Sequence, residues 1–185
     1  MKKVFFVLLA ILCLVNYSNA QKPFELSMVI QQDSLSAQDL YEATRNWFAE
    51  SYVDSKAVIR DDNPGKQITG KGSIPFECSM MYSSINGFIE YLIDIQFREG
   101  RLKLTTRNFS HVPGHRAAYD NNMGVLVDPL PSNLKDIGIS GANRKASYKY
   151  FYKHGKPLCE EAFNNIALSL KEFLSKRKVE AEEDW

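Results

Sequence analysis

The chain has 185 residues and a formal charge of +1, because 23 Lys and Arg nearly balance 22 Asp and Glu. A near-neutral chain argues against a general nucleic-acid or polyanion binder, which would carry a clear excess of basic residues. Its length and its 44% hydrophobic content suit one domain with a full core.

The first twenty residues are typical of a secretory signal peptide. Lys2-Lys3 forms a positive n-region, residues 4–15 are apolar and uncharged, and Ser18-Asn19-Ala20 supplies small residues at a cleavage site. The apolar run is shorter than the roughly 20 residues that a membrane-spanning helix needs. We therefore expect cleavage after Ala20 and a secreted or periplasmic bacterial protein that keeps no transmembrane segment. Without Lys2-Lys3, the remaining charge is −1, from 21 basic and 22 acidic residues.

The mature chain opens with a predicted strand and a predicted helix. Residues 24–32 alternate between apolar and polar side chains, which indicates a half-buried strand. Ser36 is a typical N-cap, and Asp39 stands where it can return a hydrogen bond to the cap. The helix should extend to about Tyr52 and bury one face, made of Leu40, Ala43, Thr44, Trp47 and Phe48.

Four strands are predicted after this helix, at residues 56–60, 67–79, 88–98 and 101–107. The third has the clearest alternation, with Ile89, Tyr91, Ile93, Ile95 and Phe97 on one face. Turn residues separate the strands at 61–65, 83–87 and Glu99-Gly100. The pattern predicts consecutive antiparallel strands with one apolar and one polar face.

The remainder of the chain divides into an insertion, a helix and a tail. Pro and Gly recur from 113 to 157, so we expect a long insertion with at most one short element. A helix is predicted from about Cys159 to Lys178, because Phe163, Ile166, Leu170 and Leu174 share one face. Residues 180–185 form an acidic tail. One domain should therefore span 21–179.

The predicted order is β-α-β-β-β-β-α. An antiparallel sheet of about five strands and two amphipathic helices pack most simply as an α+β two-layer sandwich. Both helices should cover the apolar face of the sheet. The polar face should remain open.

The same residues carry a resemblance to a known family. Asp39-Leu40-Tyr41, Trp47-Phe48, the run from Asp54-Ser55-Lys56 to Val58-Ile59, and Gly70-Lys71-Gly72 resemble domain-of-unknown-function family 4468 (DUF4468). The resemblance covers about residues 24–109, and the last helix fits the same pattern. It implies a secreted bacterial protein with a fold like the TATA-binding protein (TBP-like). It implies no activity and no catalytic residues.

No enzyme motif is complete in this sequence. Gly65 to Gly72 nearly matches a phosphate-binding P-loop, but Gly72 stands where a Ser or Thr should bind the metal ion. A P-loop also needs a helix to follow, whereas residues 74–78 continue as a strand. The sequence therefore predicts no bound nucleotide and no other cofactor. Nucleic acid is not expected as a partner either.

Three histidines are the remaining candidates for a metal site or a catalytic site. His111 and His115 have a spacing that joins two imidazoles on a helix, but Pro113-Gly114 between them excludes a helix there. We therefore expect exposed loop histidines and no metal site. Asp120 or His154 could complete a metal site only if the tertiary structure brought it to these histidines. If His111, His115 and Asp120 met in a pocket of the insertion, the protein could be an envelope hydrolase.

The two cysteines that remain after cleavage fall in phase with buried residues. Cys78 follows Ile74 and Phe76 on one strand face, and Cys159 precedes Phe163 on the last helix. They could pair as a disulfide in an oxidising compartment, or remain as buried free thiols. The sequence leaves both alternatives open.

Two surfaces are candidates for binding a partner such as an envelope protein or a polysaccharide. The first is an interleaved run of rings and cations, Tyr148, Lys149, Tyr150, Tyr152 and Lys153, which could stack on a ligand. An edge strand or a loop that folds onto the core and buries its rings is the favoured interpretation of this run. The second is the open sheet face, where Glu90 and Asp94 could pair with Lys103 and Arg107. The expected function is a non-catalytic binding or accessory module of the cell envelope.

Overall fold

The computed structural model describes residues 22–52, 58–114 and 121–183. The strands are β1 (Lys22–Pro23), β2 (Leu26–Gln31), β3 (Ile59–Asn63), β4 (Gln67–Phe76), β5 (Gly87–Arg98), β6 (Arg101–Pro113), β7 (Gly124–Val125) and β8 (Val127–Asp128). The helices are α1 (Ala37–Ser51) and α2 (Ala142–Glu183), with short 3-10 helices at Met80–Ile85 and Leu134–Ile137. The predicted signal peptide lies outside the described residues.

The main sheet is antiparallel, with strand order β2-β6-β5-β4-β3, and the short β7 pairs with β6. A separate two-stranded pair joins β1 to β8. Both helices pack against the apolar face of the sheet, and the Trp47 indole N–H donates to the Ser169 Oγ at 3.0 Å between them. The predicted α+β architecture is therefore confirmed. No helix within the described ranges is long and apolar enough to cross a membrane.

The start of α1 follows the prediction from its sequence. The Asp39 amide donates to the Ser36 Oγ at 3.1 Å, and the Ser36 amide donates to the Asp39 carboxylate at 3.1 Å. This capping box satisfies two backbone donors that a helix start otherwise leaves unpaired. The predicted face of α1 is buried, with Leu40, Trp47 and Phe48 nearly inaccessible to solvent.

A bulge in β6 changes which side chains face the core. Glu90 pairs with Ser110 and Leu92 with Arg107, so Asn108 and Phe109 stand opposite a single residue of β5. Asn108 has φ 59°, the left-handed conformation typical of such a bulge. Buried positions are even-numbered before it, as at Leu104, and odd-numbered after it, as at Phe109 and His111. The bulge thus directs His111 into the core.

The prediction for residues 113–157 is wrong over its second half. α2 begins at Ala142, and Pro157 lies inside the helix. A proline costs a helix at least one backbone hydrogen bond, but here the turns before it bury Tyr148 and Phe151. A Cβ on Gly155 would stand 3.1 Å from the Phe151 ring, which indicates close packing at this point. Tertiary packing therefore outweighs the local signal.

Several strand ends also differ from the prediction. β3 extends to Asn63, which leaves a tight turn closed by the Lys66 amide donating to the Asn63 carbonyl at 3.0 Å. β4 ends at Phe76, and a 3-10 helix replaces the turn predicted at 83–87. β6 extends to Pro113 because its bulge preserves the buried face. The predicted strand start at 56–57 lies outside the described residues.

Candidate functional site

The open face of the main sheet carries a polar ladder at its centre. Lys71 pairs with Glu90 at 2.8 Å, and Arg107 pairs with Asp94 at 3.4 Å. Asp94 is only 7% exposed and also accepts hydrogen bonds from Gln67 and Thr69. These charges satisfy one another, so the centre of the face offers no uncompensated charge.

The end of the open face at the β5–β6 hairpin is different. Arg98 stands opposite Arg101, and Lys103 stands opposite Gln96, in the antiparallel register. Like charges directly opposite each other destabilise a sheet. Among the described residues, no carboxylate lies within 4.0 Å of these three cations.

A pocket of about 260 Å³ lies among these cations. Its lining is Val29, Gln96, Arg98, Arg101, Leu102 and Lys103. Val29 is 51% exposed and gives the pocket an apolar wall. The lining contains no acidic side chain, so we name it the cationic pocket.

The carboxylate of the hairpin turn is directed away from the cationic pocket. The Ala37 amide at the start of α1 donates to the Glu99 Oε1 at 3.2 Å. A carboxylate at a helix N-terminus is stabilised by the free backbone donors there. Glu99 is therefore occupied by α1 and is not bonded to Arg98 or Arg101.

Sequence reasoning included Lys103 among the candidate residues but missed Arg98 and Arg101. A signal was present, since three cations flank the turn in Arg98-Glu99-Gly100-Arg101-Leu102-Lys103. The sequence does not show that the Glu99 carboxylate accepts a hydrogen bond from the start of α1. Lys103 also does not pair with Glu90, whose partner is Lys71.

Most rings of the aromatic run at 148–153 pack or hydrogen-bond within the fold. It is helical, so its rings point to different sides. Tyr148 is buried and donates to the Val125 carbonyl at 3.1 Å, and Tyr152 donates to the Asp128 carboxylate at 2.6 Å. Tyr150 stays partly exposed, as do its neighbours Lys149 and Lys153 on the solvent side of α2.

Asp128 belongs to a small polar cluster with the same helix. Lys156 lies 3.0 Å from the Asp128 Oδ2 and 5.2 Å from the centre of the Phe24 ring. The hydrogen bond from Tyr152, followed by Lys156, holds the pKa of Asp128 below its usual value. The cluster attaches β8 to α2, which is a structural role.

His111 is buried, and the expectation of an exposed loop histidine is wrong for it. The Met123 amide donates to Nδ1 at 3.1 Å, so the proton lies on Nε2, which donates to the Ile85 carbonyl at 2.8 Å. Burial lowers the pKa of His111, partly opposed by the bond to Ile85. A neutral imidazole with both nitrogens occupied cannot act as a catalytic base.

The remaining candidates for chemistry do not converge. His115 and Asp120 lie outside the described residues, and the centre of the His154 ring lies 4.2 Å from that of Tyr150, with the two rings tilted by 35°. Within the described ranges, no group of three His, Cys, Asp or Glu side chains could hold a metal ion. The hydrolase alternative therefore gains no support from the described part of the chain.

Cys78 and Cys159 are free thiols in the structure, which therefore contains the second of the two alternatives and not the disulfide. Burial raises the pKa of Cys78 to about 11 and that of Cys159 to about 12. Both are protonated at neutral pH, and a protonated thiol is a poor nucleophile.

Comparison with known proteins finds a family model that matches just under half of the chain. Residues 27–112 match the model of a family described as a domain of unknown function (DUF4468) with TBP-like fold. The chain is similar to the crystal structure of a DUF4468 family protein from Bacteroides ovatus, at 14% identity and TM-score 0.49, over 80% of this chain and 86% of that one. It is also similar to a TBP-like protein from Parabacteroides distasonis, at 14% identity and TM-score 0.47, over 83% and 95%. No curated protein matches significantly.

Proposed function

We propose that this protein, whose residues 27–112 belong to the DUF4468 family, is an exported, non-catalytic binding module of the bacterial cell envelope. Its ligand carries an anionic group, a phosphoryl or a carboxylate, which the cationic pocket holds. Fold alone does not determine function, so the proposal rests on the pocket's own residues.

The observation that carries the proposal is the uncompensated charge of the cationic pocket. Arg98, Arg101 and Lys103 meet there without a carboxylate partner among the described residues. Two arginines also face each other across the hairpin at an electrostatic cost. A bound anion would remove that repulsion and form charge-assisted hydrogen bonds, which are about twice as strong as neutral ones.

The extent of the pocket favours one anionic group over a long polyanion. The next cations along the open face, Lys71 and Arg107, are already paired with carboxylates. A track for a polyanion would need free cations along the strands.

The two arginines suit either kind of anion. Arginine guanidinium groups match the planar geometry of carboxylate and the oxygens of phosphate.

The lining also supports binding without catalysis. Arg and Lys are cations at neutral pH and serve as hydrogen-bond donors, while Gln96 supplies a neutral amide. Among the described residues, the lining offers no carboxylate, imidazole, thiol or hydroxyl that could serve as a nucleophile or a general base. It can hold an anion and orient it.

Replacing the three cations of the pocket should weaken this binding. We expect Arg98→Gln/Arg101→Gln/Lys103→Gln to bind at least about tenfold more weakly, because each lost hydrogen bond to a charged group contributes roughly 1.5–3 kcal/mol net of the exchange with water. The probes are inorganic phosphate and galacturonate, titrated separately by calorimetry, which distinguishes a phosphoryl from a carboxylate ligand.

The matched control is Lys22→Gln/Lys135→Gln/Lys176→Gln, which removes the same charge from exposed positions outside the cationic pocket. It should bind as the wild type does. Equal weakening by both triple variants would show a nonspecific charge effect and would contradict the proposal. So would a wild type that binds neither probe.

Export is tested by the N-terminus of the mature protein. Because residues 1–20 have the three regions of a signal peptide, expression of the full chain in a bacterium should give a periplasmic or secreted product that begins at Gln21. Intact-mass measurement of the fractionated protein checks this. A product that keeps Met1 and stays in the cytoplasm would contradict export.

A further inference from the structure

Two methionines at the end of the sheet opposite the cationic pocket project into solvent. Met80 is 93% exposed and Met81 is 84% exposed, more than any other large hydrophobic side chain of the described residues. They lie in the 3-10 helix between β4 and β5. Isolated exposed apolar side chains are ordinary on a protein surface. Two adjacent ones that are almost fully exposed are not.

The backbone that carries these methionines is held from several sides. The Cys78 amide donates to the Asn86 Oδ1 at 2.7 Å, and the Ser79 amide donates to the Tyr150 Oη at 3.3 Å. At the other end, His111 donates to the Ile85 carbonyl at 2.8 Å. The 3-10 helix is therefore a fixed platform, from which the two methionine side chains project.

Aromatic rings lie directly beside this platform. Tyr82 stacks on Tyr150 with ring centres 4.1 Å apart, and Tyr150 lies 4.2 Å from His154. Tyr82 and Tyr150 are both partly exposed. Tyrosine, with an apolar ring and a polar tip, is favoured where an apolar phase meets water.

The adjacent surface of α2 is basic. Lys149 and Lys153 are exposed one helical turn apart, next to Tyr150 and His154. The sequence from 137 to 159 contains no Asp or Glu. Neither lysine has a carboxylate within 4.0 Å among the described residues. The surface is thus complementary to negative charge.

We propose that this end of the molecule, the methionine tip, docks on the surface of an anionic phospholipid bilayer. Met80 and Met81 enter the boundary between headgroups and acyl chains, Tyr82 and Tyr150 lie at headgroup level, and Lys149 and Lys153 contact the phosphates. Apolar insertion together with positive charge is the usual basis of peripheral membrane binding. Side chains that project from a platform suit a soft bilayer better than a protein partner, which would need a matching pocket.

This site is independent of the cationic pocket. β5 begins at Gly87 beside the methionine tip and ends at Arg98 in the pocket, so its twelve residues separate the two by roughly 36 Å at 3.3 Å per residue. A protein docked through the tip would hold its pocket away from the bilayer. Anionic lipid is therefore the ligand of the tip and not of the pocket.

Vesicle co-sedimentation of the mature chain tests the docking. We expect the wild type to bind vesicles of phosphatidylglycerol and phosphatidylcholine (1:1) and to stay in the supernatant with phosphatidylcholine alone. Met80→Ser/Met81→Ser should lower the partition coefficient at least about tenfold, and Lys149→Gln/Lys153→Gln should do the same at low salt. All four side chains are exposed, so these substitutions should not disturb the fold. The circular dichroism spectrum should therefore stay unchanged.

Two controls make the outcome specific. Leu168→Ser removes another exposed apolar side chain, 57% exposed on α2, and should bind vesicles as the wild type does. Arg98→Gln/Arg101→Gln/Lys103→Gln should also bind vesicles normally, which separates this proposal from that of the cationic pocket. The inference would be overturned by a wild type that does not bind anionic vesicles. It would also be overturned by a Met80→Ser/Met81→Ser variant that binds them with the partition coefficient of the wild type.

Discussion

Replacing Phe151 by Ala should lower the free energy of unfolding by about 3–5 kcal/mol, the range for a phenylalanine removed from a packed core. Phe151 is fully buried, with its ring 5.3 Å from Phe76, 5.5 Å from His111 and 6.0 Å from Tyr148. These contacts join the first half of α2 to β4 and β6. The substitution should therefore destabilise the whole domain.

Urea denaturation of Phe151→Ala and of a neighbouring control measures this effect. Lys149→Ala lies on the solvent side of the same helix, and its change should remain within about 0.5 kcal/mol. A loss below about 1 kcal/mol for Phe151→Ala would mean that residues 142–157 contribute little to the core, which our description of α2 does not allow.

Replacing His111 by Leu should lower the free energy of unfolding by about 2–6 kcal/mol at pH 8. The change leaves the Ile85 carbonyl and the Met123 amide without their partner in the core, and each buried unpaired group costs about 1–3 kcal/mol. The wild type should also lose stability on acidification. Burial lowers the pKa of folded His111 below its ordinary value of 6.5. Below pH 6.5 the unfolded chain therefore takes up a proton that the folded protein resists.

The measurement is the free energy of unfolding of both proteins at pH 8 and at pH 5. The difference between wild type and His111→Leu should become smaller at pH 5, because only the wild type carries the cost of protonating His111. The other two histidines are common to both proteins and cancel in the comparison. A difference that does not change with pH would show that His111 is not held neutral by the fold.

Features written in local sequence could be predicted. The capping box of Ser36 and Asp39 needs residues only three positions apart, and its geometry is the one that this spacing favours. The alternation of β5 likewise identifies its buried face, since Ile89, Ile93 and Ile95 are all inaccessible. Resemblance to DUF4468 supplied the fold, and the match to residues 27–112 confirms it.

Features that depend on distant contacts could not be predicted. Pro157 is an ordinary signal for a helix end, and only the burial of Tyr148 and Phe151 explains a helix that continues through it. The bulge at Asn108 is equally silent in the sequence, because asparagine adopts positive φ in many turns. Without that bulge His111 would face solvent, as its position in a loop had suggested.

The candidate site shows the same division. The cations around the β5–β6 hairpin are visible in the sequence, but Glu99 between them predicts a neutralised turn. Only the structure shows that Glu99 accepts from Ala37. Conversely, the rings at 148–152 look like a binding surface when read as a strand, whereas a helix buries Tyr148 and leaves Tyr150 beside the methionine tip.

The most direct test of the central claim, that the cationic pocket binds an anionic group, is an amide chemical-shift map. Inorganic phosphate would be added to the ¹⁵N-labelled mature chain, followed by galacturonate in a separate titration. With at least one of the two anions, we predict saturable shifts concentrated at Val29 and residues 96–103, absent from Arg98→Gln/Arg101→Gln/Lys103→Gln. Shifts confined to α2, or none in either titration, would contradict the claim.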